Sequence, residues 1–131
     1  MNNFTIVRPE HLNHHGYLFG GSMLRWVDEY AWLVATLDFP GCTLVTVGMD
    51  AIRFRQRVLP GSILRFRILP LEQGNTSISY NVEVFADEPG GTVEKEVFST
   101  SISFVRLDEA GNKTPLPRSG PLRSALRHPS P

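Results

Sequence analysis

Asp28 is an acid in apolar company. It falls among Met23, Leu24, Val27, Ala31, Trp32 and Val34, and in a helix it would stack one turn after Leu24 and one turn before Ala31 and Trp32. Burying an unpaired carboxylate is costly, so such a group finds partners, loses its charge or lines a cleft. It is either a reactive group or one satisfied by a backbone amide or an arginine. Ahead of it stands the pair Gly20-Gly21. The first N–H groups of a helix have no internal partners, and with the helix dipole they favour an anion or a developing oxyanion. Glycines there let a ligand approach the backbone, although the same pair suits a tight entry turn or close packing. Asn13, in the polar turn Asn13-His14-His15-Gly16, offers a side-chain amide to a water or a carbonyl, or simply shapes that turn.

A distance constrains how these groups could share one reaction. Gly21 and Asp28 are seven residues apart, about 10 Å along a helix axis. A reacting carbonyl must lie about 3 Å from both its oxyanion donors and the attacking group. One helix cannot easily present both. Two helices related by a twofold axis can, each lending its N-terminus to the other's Asp28. A catalytic site here is therefore expected at a homodimer interface.

Arg53, Arg55 and Arg57 alternate and would share one face of a strand. That row could meet phosphates through bidentate contacts, or be a solvated face paired with nearby acids. Arg65 and Arg67 repeat the pattern. His11, His14 and His15 have no accompanying cysteine pattern, so no metal site is expected. Neither Gly-x-Ser-x-Gly nor any other nucleophile–base motif occurs.

The elements that must hold these groups are one helix and several strands. The helix is expected from Gly20 or Gly21 to about Leu37, stopped by Pro40-Gly41. Its apolar side chains cover nearly the whole circumference, which predicts a helix buried all round. Residues 3–8 read as a short edge strand. Long strands are expected over 42–58, with a bend or bulge at Gly48, over 62–71 ending near Pro70, over 76–86, and over 92–107. In 76–86 the alternation puts Ile78, Tyr80, Val82, Val84 and Ala86 on one face. One helix followed by three or four antiparallel strands predicts an α+β meander curled over the helix. The proline-rich stretch from Asp108 onward shows no periodicity and reads as a loose tail.

The chain has 131 residues, zero formal net charge and one cysteine, Cys42. That length suits a single domain with a real core. The charge balance gives no global field to recruit nucleic acid or an anionic membrane, and no base-reading motif is present. No apolar run approaches the roughly 20 residues of a membrane span. A lone cysteine excludes an internal disulfide. A soluble, cytoplasmic protein is expected.

The run Asn13-x-x-Gly16-x-x-Phe19-Gly20-Gly21, followed by Trp26-Val27-Asp28-Glu29, resembles the hotdog-fold acyl-CoA thioesterases, such as the bacterial YciA-type and mammalian cytosolic hydrolases. Phe54 through Val58 with Gly61, then Gly74-Asn75-Thr76-Ser77-Ile78 and Glu83-Val84, continue the likeness over residues 8–117. The resemblance implies an α+β hotdog fold: an antiparallel five- or six-stranded sheet wrapped around one long central helix, paired into a homodimer with two shared sites. A trimer of dimers is common among the look-alikes. It implies a single hotdog thioesterase domain over 1–117, with 118–131 a flexible Pro/Arg-rich tail. It implies hydrolysis of acyl-CoA to free acid and CoA, with no cofactor beyond the CoA of the substrate. By the same resemblance Asp28 is the catalytic general base or nucleophile, Asn13 the asparagine given by the opposite subunit, and Gly20 or Gly21 the amide that polarises the carbonyl. Phe19, Arg53, Arg55, Arg57, Thr76 and Ser77 are the expected substrate contacts. Ser62 stands where many relatives have Asp. Arg53 and Arg55 replace smaller or apolar residues, so their assignment to CoA phosphates rests on charge. A non-catalytic acyl-CoA sensor of the same fold is the alternative, and a hotdog dehydratase would need a helix histidine that this chain lacks.

Overall fold

The structure is a computed structural model that describes residues 1–118 and 120–125. It contains β1 (Asn2–Ile6), α1 (Gly20–Asp38), β2 (Thr43–Phe54), β3 (Ile63–Gln73), β4 (Ser77–Asp87) and β5 (Lys95–Leu107). The five strands form one antiparallel sheet in the order β1-β3-β4-β5-β2. Only β3, β4 and β5 form a meander. β2 lies beside β5 instead of β3, so the chain crosses from one side of the sheet to the other between them, and β1 and β2 are the two edges.

Period-two patterning explains the centre of the sheet. Ile78, Tyr80, Val82, Val84 and Ala86 all point to the helix side of β4 and are buried. They pack with Phe66 of β3 and with Phe98 and Phe104 of β5. The helix answers with Met23, Val27, Ala31 and Val34, spaced four, four and three residues apart, which is one face of a 3.6-residue helix. Trp26 and Tyr30 extend the contact edge-on to Phe66. The helix is not buried all round: Trp32, Leu33 and Leu37 remain 40–46% exposed. A flat sheet can cover only one stripe of a cylinder.

β2 departs from the long regular strand expected over 42–58. It ends at Phe54. The backbone bends at Gln56, and Val58 accepts the N–H of Leu18 in the loop before the helix. Within β2 the register slips twice against β5. Val47 is the extra residue before Gly48, where a bulge is expected. A second bulge between Asp50 and Arg53 puts Ala51 at φ +51°. Such a bulge frees a carbonyl from the ladder, and the buried Thr100 hydroxyl donates to that of Asp50 at 2.7 Å. β3 also outlasts expectation, since Pro70 is absorbed by a register irregularity and the strand runs on to Gln73.

The described residues after Asp108 do not hang free. Leu116 is buried, and its N–H donates to Asn75. Of residues 118–131, Arg118 donates to the Gly74 carbonyl, and Ser124 reaches the end of the helix. There the Asp38 carboxylate accepts the Ser124 N–H at 2.8 Å, the Ser124 hydroxyl, and the Tyr80 hydroxyl at 2.7 Å. Burial, followed by the hydrogen bond to Asp38, pushes the Tyr80 phenol well above its ordinary pKa. Ser119 and residues 126–131 lie outside the described residues. Removing the carboxylate strands two partners that are themselves buried, so Asp38→Ala is expected to cost about 1–3 kcal/mol. A melting temperature lowered by several degrees checks this; an unchanged one dismisses the latch. Among the described residues no helix is long and apolar enough to cross a membrane.

Candidate active site

Asn13 shapes its own loop. Its side-chain oxygen accepts the N–H groups of His15 at 2.9 Å and Tyr17 at 3.2 Å, and Gly16 sits at φ +83°, where a side chain would be strained. The turn role is thus real. It uses the carbonyl, and because an amide carries both functions the side-chain NH₂, which has no acceptor among the described residues, can still donate. Asn13, Gly20 and Met23 line one cleft of about 640 Å³, whose apolar walls are Leu18, Phe54, Val58 and Val97.

The helix start is bare. Phe19 is the N-cap and makes no side-chain cap. Ser22 and Met23 donate to the Phe19 carbonyl, and no partner among the described residues takes the N–H groups of Gly20 or Gly21. The two glycines differ in surroundings. A Cβ on Gly21 would lie 2.6 Å from the ring of Phe19, an exposed side chain that would have to swing aside. A Cβ on Gly20 would stand 3.4 Å from the Phe54 ring, inside the cleft. Phe19 itself folds over Gly21 and does not line the cleft.

Asp28 lies two turns further along and does not line that cleft. It faces β2, where its Oδ1 accepts the Thr46 hydroxyl at 2.6 Å. The second oxygen has no protein donor among the described residues. Thr46 was not legible from sequence, since only sheet pairing brings it to the helix. One chain therefore brings together Asn13, Gly20 and two arginines, and keeps Asp28 apart.

The remaining expected contacts divide. Arg53 is on β2, exposed and off the cleft. Arg55 and Arg57 lie past the strand end and do line it. Arg55 donates to Ser99 at 3.0 Å and pairs with Glu96 at 3.3 Å. Arg57 lies over the Tyr17 ring. Thr76 and Ser77 sit where β4 begins, against Val105 near the C-terminal end of β5, which is the far end of the sheet from Gly20. His11 packs on Trp26 and His14 on His15. Among the described residues no group of three His, Cys, Asp or Glu could hold a metal ion.

A family model described as thioesterase superfamily matches residues 15–93. The chain belongs to that superfamily. Among curated thioesterase relatives, the acyl-CoA thioester hydrolase YciA of Salmonella typhimurium is 30% identical over 129 residues, covering 88% of this chain and 89% of that protein. The mouse acyl-coenzyme A thioesterase 11 is 31% identical over 100 residues, 76% of this chain, but the match spans only 17% of the mouse protein. Among solved structures, the hexameric hotdog thioesterase Cj0915 of Campylobacter jejuni superposes with a TM-score of 0.78 at 30% identity, over 88% of each chain. An acyl-CoA hydrolase mutant from Staphylococcus aureus, with one aspartate replaced by alanine, superposes at 0.80 with 25% identity over 89% of this chain and 71% of its own. The five-stranded sheet over one long helix is the hotdog fold.

Proposed function

We propose that this thioesterase hydrolyses acyl-CoA, and that its site forms between two copies of the chain. The observation that carries the reading is the separation of Asp28 from the cleft at Asn13 and Gly20. β2 is an open edge and exposes Val47, Ile52 and Phe54, and edges of that kind invite a partner strand. Antiparallel self-pairing of β2 about its middle puts Thr46 of one copy across from the Ile52–Phe54 end of the other. Phe54 walls the Gly20 cleft, and Thr46 holds Asp28. Each carboxylate then meets the other copy's helix start.

In that site the thioester carbonyl oxygen takes the free N–H groups of Gly20 or Gly21, and the Asn13 amide orients the water or the carbonyl. As a general base, Asp28 removes a proton from water as its oxygen attacks the carbonyl carbon. The C–S bond then breaks, and the CoA thiolate recovers the proton. As a nucleophile, Asp28 attacks the carbonyl itself and the C–S bond breaks to release the CoA thiolate. Water then hydrolyses the resulting anhydride to the free acid and the Asp28 carboxylate, and the proton it gives up goes to the thiolate. The relatives' names support the substrate class. In the staphylococcal hydrolase, the aspartate and asparagine chosen for substitution stand fifteen positions apart, as Asp28 and Asn13 do here.

CoA release from short, medium, long and aromatic acyl-CoAs tests the reading, with a no-substrate control for the Cys42 thiol. Turnover on at least one class is expected. CoA binding without turnover on any of them would replace the enzyme with a sensor.

A further inference from the structure

The second bulge of β2 decides which of two neighbouring side chains walls the cleft. Before it, Met49 faces Ile102 and Asp50 faces Ser101 across the ladder. After it, Arg53 faces Ser99 and Phe54 faces Phe98, so Ala51 and Ile52 stand against Thr100 alone. Carried straight on, the earlier register would set Ile52 against Ser99 and Arg53 against Phe98. Residues directly opposite share a face of the sheet, and a slip of one residue exchanges the faces. Phe98 is buried on the helix side. The straight register would therefore turn Arg53 toward the helix and Phe54 away from it. In the bulged register the Phe54 ring packs edge-on to Phe98, 4.9 Å between centres, and lies against Gly20. Arg53 is kept off the cleft.

The bulge carries two costs. Ala51 sits at φ +51°, a left-handed conformation that strains a residue with a Cβ, and the Asp50 carbonyl leaves the ladder. The Thr100 hydroxyl, buried on the helix face, offsets the second by donating to that carbonyl at 2.7 Å. It also stands 3.2 Å from the Ser101 carbonyl, but a single O–H makes its stronger bond to the nearer oxygen. The Ser101 hydroxyl is 3.5 Å from the Asp50 carbonyl, at the limit of a bond. Past Phe54, the Arg55 N–H donates to Val97 at 2.8 Å and carries the shifted register beyond the strand.

We propose that Thr100 is a positioning residue. By holding the Asp50 carbonyl it keeps β2 in the register that turns Phe54, and not Arg53, against the helix start. Thr100 itself does not line the cleft. An apolar ring beside Gly20 narrows the access of water to the bare N–H groups and leaves them for a carbonyl oxygen. A guanidinium there would crowd the positive end of the helix. The effect on turnover rests on the acyl-CoA reading above; the choice of register does not.

The first test reads the register without any reaction, through nuclear Overhauser contacts between the Phe54 and Phe98 rings in phenylalanine-labelled protein. They are expected in wild type and in Thr100→Ser. Thr100→Val keeps the shape of threonine without its hydroxyl and should lose them. Ala51→Gly relieves the strain from the other side, so adding it to Thr100→Val should bring them back. The second test is kcat/KM for the best acyl-CoA, well below the melting temperature. Thr100→Val is expected to lose about tenfold, and Thr100→Ser about twofold or less. In a Phe54→Ala background the Thr100→Val change should cost about twofold or less, because the ring it aims is gone. Ring contacts that persist in Thr100→Val overturn the proposal, as does an equal loss of kcat/KM in both backgrounds. A wild type with no turnover would sink the acyl-CoA reading and leave the ring contacts to decide the register.

Discussion

Asp28→Asn is expected to lower turnover of the best acyl-CoA by about a thousandfold, some 4 kcal/mol of barrier, with little change in KM. The substitution keeps shape and keeps an oxygen that accepts the Thr46 hydroxyl, the contact seen at 2.6 Å. What it removes is the ability to take a proton or to attack. The fold should survive, because the residue is only half-buried and Val27 and Ala31 on either side carry the packing. CoA release measured beside a thermal melt separates the two effects. Full turnover in the variant would remove Asp28 from the chemistry while leaving the enzyme in place.

The second large effect concerns the edge strand. Ile52→Glu places a charge on the exposed apolar edge of β2, and it is expected to split the dimer and reduce turnover about a hundredfold or more, because one chain cannot bring Asp28 to its own cleft. Light scattering during gel filtration reads the mass and the same samples give the rate. A monomer with undiminished turnover would refute the shared site. A mixing experiment reaches the same point without damaging the interface. Asp28→Asn chains retain a sound cleft, and Gly20→Val chains retain a sound aspartate. Refolded together in equal amounts, half of the dimers are mixed and each has one complete site, so about a quarter of the wild-type rate should return. A site confined to one chain would return nothing.

The sequence made the helix, the five strands and the identity of the buried β4 face legible, because each follows from a local period. Its errors are all tertiary. Trp32, Leu33 and Leu37 look buried by composition, yet the sheet covers only the Met23–Val34 stripe. Arg55 and Arg57 look like strand residues, yet the bend at Gln56 takes them off the sheet and into the cleft. The place of β2 beside β5 depends on a crossover that no single segment encodes. At the site, Asp28 and Gly20 stood out because an acid in an apolar run and a bare helix start are visible one residue at a time. Thr46 and Thr100 did not, since ordinary residues become partners only through pairing. Thr76 and Ser77 fall far from the cleft of their own chain, and nothing local distinguishes a turn that touches substrate from one that closes a strand.

The paired bulges of β2 also bear on how the chain would recognise itself in the proposed dimer. Val47 and Ala51 each add a residue that β5 does not match, so the free edge has an uneven spacing of donors and acceptors. A second copy has the same unevenness, and in the proposed twofold pairing the Val47 bulge of one copy lies across from the Ala51 bulge of the other. A sister hotdog chain with a straight edge, made in the same cell, would meet mismatched rungs along the strand. In the proposed dimer the irregular edge would thus serve as a password for like-with-like assembly. It would also make each substitution at positions 47–52 count twice in such a dimer, so drift there would have to be tolerable to both halves at once.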